Sequence, residues 1–366
     1  MRKRVTIKDV AREAGVSIKT VSNVINDSGS MRPETRKRVK AVMDAMGYQL
    51  NVSARSLKTG HTKVIGIAVE EFKPFFLHLI NAISDAAHAH GYGVIVNTHG
   101  GRLRQFQQEA NILAADGWIL HLSPHARDGF IHSSWNRPTV QVGEYSTAVH
   151  FDTVAMSNRA AMDQMTGRFL DSGCRRVGAF GAPESLIPAI HAARNGEMTA
   201  KALLDMVFAA VDGAADLRLQ GFCDAFVKRG MMPDWDLICC DDAWSTSRAF
   251  DMTGAMLDRT ASPDAMVCFT DEIAIGVLHA CMSRGLRVPG DVQISGHDDI
   301  DESRFVNPAL TTIDPTLREY ANVAFDMLLE RIQGYDGPPR FHMTGYTLVE
   351  RDSTRLTGPA AVRSGE

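Results

Sequence analysis

Thr6-Ile7-Lys8-Asp9-Val10-Ala11-Arg12-Glu13-Ala14-Gly15-Val16-Ser17-Ile18-Lys19-Thr20-Val21-Ser22-Asn23-Val24-Ile25, residues 6–25, reads as two short helices and the turn that joins them. Thr6 followed three residues later by Asp9 is a capping-box-like start, in which the hydroxyl and the carboxylate satisfy the first free amides of a helix. Ile7, Val10, Ala11 and Ala14 then recur at helical spacing and define one apolar face. Gly15 stands where the chain must take a left-handed backbone to turn sharply. Ser17 is placed to cap a second helix whose Val21, Val24 and Ile25 point inward. That leaves Ile18, Lys19, Ser22 and Asn23 on its outer face, as residues four apart project from one side.

Outward from this stretch, Pro33 and Glu34 open a third helix, Val39, Val42 and Met46 line its inner face, and Gly47 ends it. Three short helices with a glycine turn between the first two form the helix-turn-helix pattern, and such units lay the second helix in the DNA major groove. Asn pairs with adenine, Lys with guanine, and Ile packs on a thymine methyl. Arg32, Arg36, Lys37, Arg38 and Lys40 supply cations of the kind that hold phosphates without reading sequence. The charge distribution agrees. Residues 1–63 hold 14 Lys and Arg against 5 Asp and Glu, a net +9, whereas the remainder nets −13. A basic head on an acidic body meets a polyanion with the head alone.

Residues 5–26, Val5 to Asn26, resemble the signature of the LacI/GalR family of bacterial regulators. The likeness continues through Arg32-Pro33-Glu34-Thr35-Arg36 and Gly47-Tyr48, and Asn51-Val52-Ser53-Ala54-Arg55-Ser56-Leu57 resembles that family's hinge. The resemblance implies that Ile18 and Lys19 read bases. It also implies a wider DNA-facing set of Thr6, Ser17, Thr20, Ser22, Asn23, Asn26, Arg32, Arg36, Asn51, Ala54 and Arg55. Asn23 departs from the pattern, in which Arg is more common. Leu57 falls where the family wedges a leucine into the minor groove, partly unstacking one base step. The organisation expected is a head over 1–48, a hinge over 49–62, an effector-binding domain over 63–356 and a polar tail over 357–366.

From residue 63 the periodicity changes. Short β-rich runs at 64–69, 93–97, 118–122, 139–142, 177–180, 237–240, 266–269 and 292–295 alternate with helical stretches. Those helices are expected near 75–90, 104–115, 155–172, 219–229, 247–259, 271–284 and 316–333. Strand–helix alternation predicts parallel sheets with helices on both faces, and the length predicts two lobes with a ligand cleft at the carboxyl ends of the strands. The fold class is therefore multidomain: a small all-α head plus a two-lobed α/β body resembling periplasmic binding proteins. The first lobe is expected over about 63–165 and 317–344, the second over about 166–316 and 345–356. No phosphate loop, Gly-x-Ser-x-Gly elbow or dinucleotide loop occurs in the right context, and the histidines are dispersed, so neither an enzyme, a cofactor nor a metal is expected. The six cysteines, without a Cys-x-x-Cys, read as buried thiols. No apolar stretch follows the charged start and none is long enough to span a bilayer, so the chain is expected in the cytoplasm.

Within the body the resemblance implies a ligand set. Arg218, in Arg218-Leu219-Gln220-Gly221-Phe222, and Asp298, in Gly296-His297-Asp298-Asp299, stand where the family grips ligand hydroxyls. Trp244 falls where an aromatic often faces a sugar ring, Thr270 where a polar side chain reads a hydroxyl, and Phe76 on the wall of the first lobe. The alternatives are a structural ion pair for Arg218 and Asp298, simple packing for Trp244, Phe75 and Phe76, and a structural role for Asp152. Two features depart from the family. Residues 183–216 are long, and Ala200, Leu203, Leu204, Val207 and Val211 predict an extra amphipathic helix near the cleft mouth. Lys73 replaces the usual asparagine before Pro74-Phe75-Phe76. The expected function is a homodimeric regulator of a near-palindromic, double-stranded DNA operator, with no membrane among its partners, and most simply a repressor released by a carbohydrate-like effector. A corepressor-dependent or activating regulator with a non-sugar effector, such as a purine, and a transport solute-binding protein are the competing readings.

Overall fold

The computed structural model describes residues 5–25, 28–48, 60–122, 135–143, 150–211 and 213–356. The chain divides into two compact units, Met1–Thr62 and Lys63–Glu366. In the first, helices α1 (Ile7–Glu13), α2 (Ile18–Ile25) and α3 (Pro33–Ala45) enclose Val10, Ala11, Ala14, Val21, Val24 and Val39. Local chemistry accounts for each boundary. Asp9 accepts from the Thr6 amide at 3.0 Å and from its hydroxyl at 2.6 Å, Gly15 turns the chain at φ +62°, and Ser17 Oγ accepts from the Thr20 amide at 3.0 Å.

The second unit holds two sheets. The first lobe is built on six parallel strands in the order β11-β5-β4-β3-β1-β2: β1 (Val64–Val69), β2 (Gly93–Thr98), β3 (Gly117–His121), β4 (Thr139–Gly143), β5 (Asp152–Met156) and β11 (Phe341–Thr344). Side chains alternate between two apolar layers, as strand geometry requires. Ile65, Ile67 and Ile119 pack beneath α4 (Pro74–Ala89) and α13 (Leu317–Ile332), while Ala68, Trp118 and Leu120 pack with Phe106 of α5 (Leu103–Ile112). Both faces are covered, which is why β1 and β3 read as near-continuous apolar runs.

The second lobe has four parallel strands in the order β7-β6-β8-β9: β6 (Val177–Ala182), β7 (Ile238–Cys240), β8 (Ala265–Cys268) and β9 (Gln293–Ser295). An antiparallel pair, β10 (Thr312–Asp314) with β12 (Thr347–Val349), adjoins it. Helices α6 (Asn158–Asp171), α9 (Ala214–Val227), α10 (Thr246–Arg259), α11 (Asp271–Ser283) and the short α12 (Glu302–Phe305) surround it. A Cβ on Gly221 would lie 2.1 Å from the Arg159 carbonyl oxygen, so α6 and α9 cross closely only because residue 221 is glycine. All six cysteines are buried and free.

The structure corrects several expectations. The helix expected from 155 starts at Asn158, because 152–156 is β5, whose short run is too polar at its start to show a strand period. Strands β5, β10 and β11 were not among the expected runs. Helix α6 buries Ala161, Met162, Met165 and Phe169 in the second core, so the first lobe stops at Met156 rather than near 165. The long 183–216 segment holds two helices, α7 (Ile187–Arg194) and α8 (Ala200–Ala209). Leu203, Leu204 and Val207 are buried, as an amphipathic face requires, but Val211 lies beyond the helix and is exposed. Gln220 Nε2 fastens α8 to α9 by donating to the carbonyls of Val207 and Ala210, at 2.9 and 2.7 Å.

The chain passes between lobes at Ser157, Thr316 and Gly345. Ser157 Oγ donates to the Thr344 carbonyl at 2.6 Å, and Thr316 Oγ1 to the Gly345 carbonyl at 3.1 Å. Thr316 has φ +54° there.

Candidate functional site

In the head, Ile18 is 45% exposed although it is a large apolar residue, and Lys19 beside it is also exposed. An apolar side chain left open at the start of α2 has no role in the head's own core. Ser17 and Thr20 engage each other through hydroxyls 2.8 Å apart and build the cap that aims this turn. Ser22 and Asn23 are half-buried, and the Asn23 carboxamide packs against Gly29. Asn23 is thus less open than the outer-face reading expected. Thr6 is exposed and tied to Asp9, Arg32 is exposed and Arg36 half-buried at the start of α3. Asn26, Asn51, Ala54, Arg55 and Leu57 lie outside the described residues.

In the body, Arg218 and Asp298 come together across 80 residues of sequence from α9 and the loop after β9. Arg218 is 4% exposed and Asp298 6%. Arg218 Nη2 lies 3.7 Å from Asp298 Oδ1, an ion pair without a hydrogen bond. The remaining guanidinium edges are engaged: Nε donates to Asn158 Oδ1 at 2.8 Å and Nη1 to the Phe269 carbonyl. The guanidinium sits 5.3 Å from the Trp244 ring centroid, within range of a cation–π contact. Trp244 Nε1 donates to the Gly181 carbonyl at 3.1 Å, which fixes the indole plane. Trp244 and Asp298 both hold positive φ, +44° and +114°, and so does Asp299, at +48°. Strained backbone clustered in two facing loops marks a site where geometry is imposed by something other than local preference.

Thr270 is a helix cap: its Oγ1 accepts from the Ile273 amide at 3.2 Å. Its neighbour Asp271 is the residue that sequence reasoning missed. Fully buried, Asp271 accepts from the Ile300 amide, the Ser303 hydroxyl and the Thr312 hydroxyl, and so holds up the loop that carries Asp298. His297 was also missed; its Nδ1 lies 2.8 Å from Asp298 Oδ1 and, in the neutral ring, donates to it. On the first lobe, Phe76 is half-buried and meets the His121 ring edge-on at 4.6 Å. His121 ends β3, and its Nδ1 is buried without a hydrogen-bond partner among the described residues. A histidine inside a β-rich apolar run gave the only sequence signal for it.

Burial dominates the electrostatics. It pushes Asp298 up to about 7, against the pull of Arg218, and Asp271 up to about 8, helped by the Asp298 charge. It pushes His297 well below the usual imidazole value and His121 down to about 3. The raised carboxylates favour the fold when protonated, so their contribution is complete below about pH 4 and is lost as pH climbs through 7 to 8. The depressed histidines act oppositely, contributing above about pH 6.5 and losing that contribution as pH falls. The two trends oppose each other below pH 6.5, whereas the carboxylates act alone above it. The thermal midpoint of the ligand-free protein is therefore expected to fall between pH 6.5 and 8. In Asp298→Asn that fall should be visibly shallower; an unchanged slope would remove Asp298 from the account.

Asp152, left open between binding and structure, is structural. It lies at the amino end of β5, away from the cleft edge, and accepts from Arg331, from the Arg340 side chain and from the Arg340 amide at 2.7–3.0 Å. Burial pushes its carboxyl up, but these hydrogen bonds outweigh it and hold the pKa below the usual range.

Among the described residues no group of His, Cys, Asp and Glu is arranged to hold a metal ion, and no helix is long and apolar enough to cross a membrane.

A helix-turn-helix head joined to a two-lobed body with a buried polar cluster at its strand ends is the plan of a ligand-responsive transcription regulator. Comparison with known proteins gives the lineage. The profile of bacterial regulatory proteins of the lacI family matches residues 6–51, and that of the periplasmic binding protein-like domain matches residues 166–354. The chain belongs to the lacI family. It is similar to the transcriptional repressor PurR of Photorhabdus laumondii, 30% identical over 334 residues, covering 89% of this chain and 90% of that protein. The ribose operon repressor of Haemophilus influenzae is 28% identical over 358 residues, covering 95% of this chain and 98% of its own. Among solved structures, a LacI-type transcription regulator from Bifidobacterium animalis is 36% identical with a TM-score of 0.69, covering 80% of this chain and 100% of that one.

Proposed function

We propose that the protein is a non-enzymatic repressor, acting as a homodimer, whose affinity for a near-palindromic operator is set by a small uncharged polyol bound between the lobes. The Arg218–Asp298 pair carries this reading. A buried carboxylate accepts two hydroxyls and a guanidinium donates to others, while the CH face of a sugar ring packs on Trp244. Phe76 supplies the apolar wall opposite, and Thr270, whose Oγ1 accepts the helix-cap hydrogen bond, keeps its O–H to donate to a ligand hydroxyl. The cleft favours a neutral ligand because Arg218 already donates to Asn158 and to the Phe269 carbonyl and pairs with Asp298, which leaves no open guanidinium fork of the kind a phosphate takes. A non-sugar corepressor, such as a purine, is the second reading.

For the head, Ile18 and Lys19 read base edges, and Thr6, Ser17, Thr20, Ser22, Asn23, Arg32 and Arg36 set its position on the duplex. Asn26, Asn51, Ala54, Arg55 and the Leu57 wedge belong to the same proposal. The ligand acts by binding the DNA-competent and incompetent states unequally, which shifts their populations.

The test is thermal unfolding against sugars, their phosphates, polyols and nucleobases, followed by operator binding with each hit. An effector at about 100 times its Kd adds about 2.7 kcal/mol of stability. A hit among neutral sugars that also loosens DNA supports the proposal; stabilisation by a purine alone that tightens DNA replaces it. On an operator selected from random duplexes, Lys19→Ala should lose about 1–3 kcal/mol of discrimination at one base pair per half-site. Unaltered base preference would take Lys19 out of the reading set.

A further inference from the structure

Lys73 connects the two lobes far from their hinge. It is the residue before Pro74, which opens α4, and its backbone is extended at φ −116°, ψ 161°. Its ammonium donates across the cleft to the carbonyl of Ala243 at 2.8 Å and pairs with Glu71 of its own lobe at 2.7 Å. On the far side the half-buried carboxyl of Glu272, raised by burial, is drawn back down by the Lys73 charge. Ala243 immediately precedes Trp244, whose φ is +44° and whose ring carries Arg218. The second lobe holds the same loop from within: Asp241 Oδ1 accepts from the Ala243 amide at 3.2 Å and from Arg248 Nε at 2.6 Å.

Position gives this contact its leverage. The hydrogen bonds at Ser157 and Thr316 sit where the chain crosses between lobes, so they pivot rather than resist opening. Lys73 follows β1, which is separated from β5, the strand that leads into the crossing at Ser157, by β4 and β3. Three inter-strand spacings put the two about 14 Å apart. A flexible stem ending in a compact, rotatable ammonium suits a carbonyl that moves with the opposite lobe, whereas an asparagine is too short to reach as far.

We propose that Lys73 is a positioning residue of the switch, a strap that ties the Trp244 loop of the second lobe to the start of α4 in the first and so favours closure of the cleft. This rests on the cleft reading above, but its test needs no ligand. One charge-assisted hydrogen bond, with the ammonium a quarter exposed, biases closed over open on the order of tenfold.

Hydrogen exchange of the full-length, ligand-free protein, resolved by segment in mass spectrometry, decides it. In Lys73→Met, which keeps the aliphatic stem, segments 71–77 and 241–248 on opposite lobes should both exchange on the order of tenfold faster. The crossings at 153–157 and 343–347 should hold their native rates. Lys73→Arg should return protection to 241–248. Native exchange of 241–248 in Lys73→Met overturns the strap, because Lys73 then serves only its own helix. Uniformly faster exchange across the second lobe, α11 included, overturns it equally, because the loss is then general destabilisation. A ligand panel that finds no sugar would sink the effector proposal and leave this result standing.

Discussion

Arg218→Ala should yield a protein that is less stable by about 3 kcal/mol and no longer responds to its effector. The substitution empties the centre of a buried polar cluster. Asp298 loses its neighbouring cation, Asn158 Oδ1 and the Phe269 carbonyl lose their donor, and Trp244 loses the plane stacked on it. Breaking a buried pair from one side costs about 3–5 kcal/mol, since the surviving charge stays desolvated. The lower end is expected because the Asp298 carboxyl, already raised to about 7, takes up a proton and neutralises itself. Asp298→Asn provides the contrast. It removes the charge but keeps the shape and the His297 contact, so it should cost less stability while still abolishing ligand-induced stabilisation. The measurement is thermal unfolding of both variants with and without the effector. An Arg218→Ala protein that unfolds as the parent does and is still stabilised by ligand would falsify the assignment of the cleft.

Asp152→Ala should cost a similar amount, about 3 kcal/mol, without touching ligand recognition. Its side chain is fully buried and receives four hydrogen bonds from two arginines and one backbone amide, which join β5, α13 and the start of β11. Without the carboxylate, Arg331 and Arg340 lose the anion they share, and only Glu330, paired with Arg340, is left to offset their repulsion. They are 16% and 30% exposed, so water screens part of the repulsion and again sets the estimate near the lower bound. Because the native pKa is depressed, the carboxylate's contribution is present above about pH 4 and lost as pH falls below that. Urea unfolding at neutral pH should show a lowered midpoint, and effector affinity should be unchanged at low urea. If affinity fell with stability, the Asp152 corner would be coupled to the cleft and not merely to the fold.

These two residues show where reading along the chain stops. The motifs around Arg218 and Asp298 point to ligand gripping, with a structural ion pair as the alternative, and no spacing along the chain says how the two side chains meet. The structure supplies the 3.7 Å separation and the occupied guanidinium edges. Asp152 sat in a family-like stretch without a role until two arginines from near the end of the body were seen to converge on it. Thr270 and Asp271 divide the work: the threonine hydroxyl accepts a helix-cap hydrogen bond, and the carboxylate beside it supports the Asp298 loop.

What the sequence determined by itself is the head and the alternation of the body. Capping residues, a glycine turn and a 3.6-residue apolar period act within a few residues of each other, so Thr6, Gly15, Ser17 and the inward valines specify their helices locally. Buried parallel strands likewise announce themselves as apolar runs wherever both faces are covered. Only the tertiary structure decided the rest. Strand β5 is short and begins with a buried charge, the division of lobes depends on which core α6 joins, and Lys73 meets Ala243 across 170 residues. Such contacts carry no local period and no fixed spacing. They exist only after the sheets have set which strand ends face each other, and the free energy of a charge at those ends depends on burial that no single segment can express.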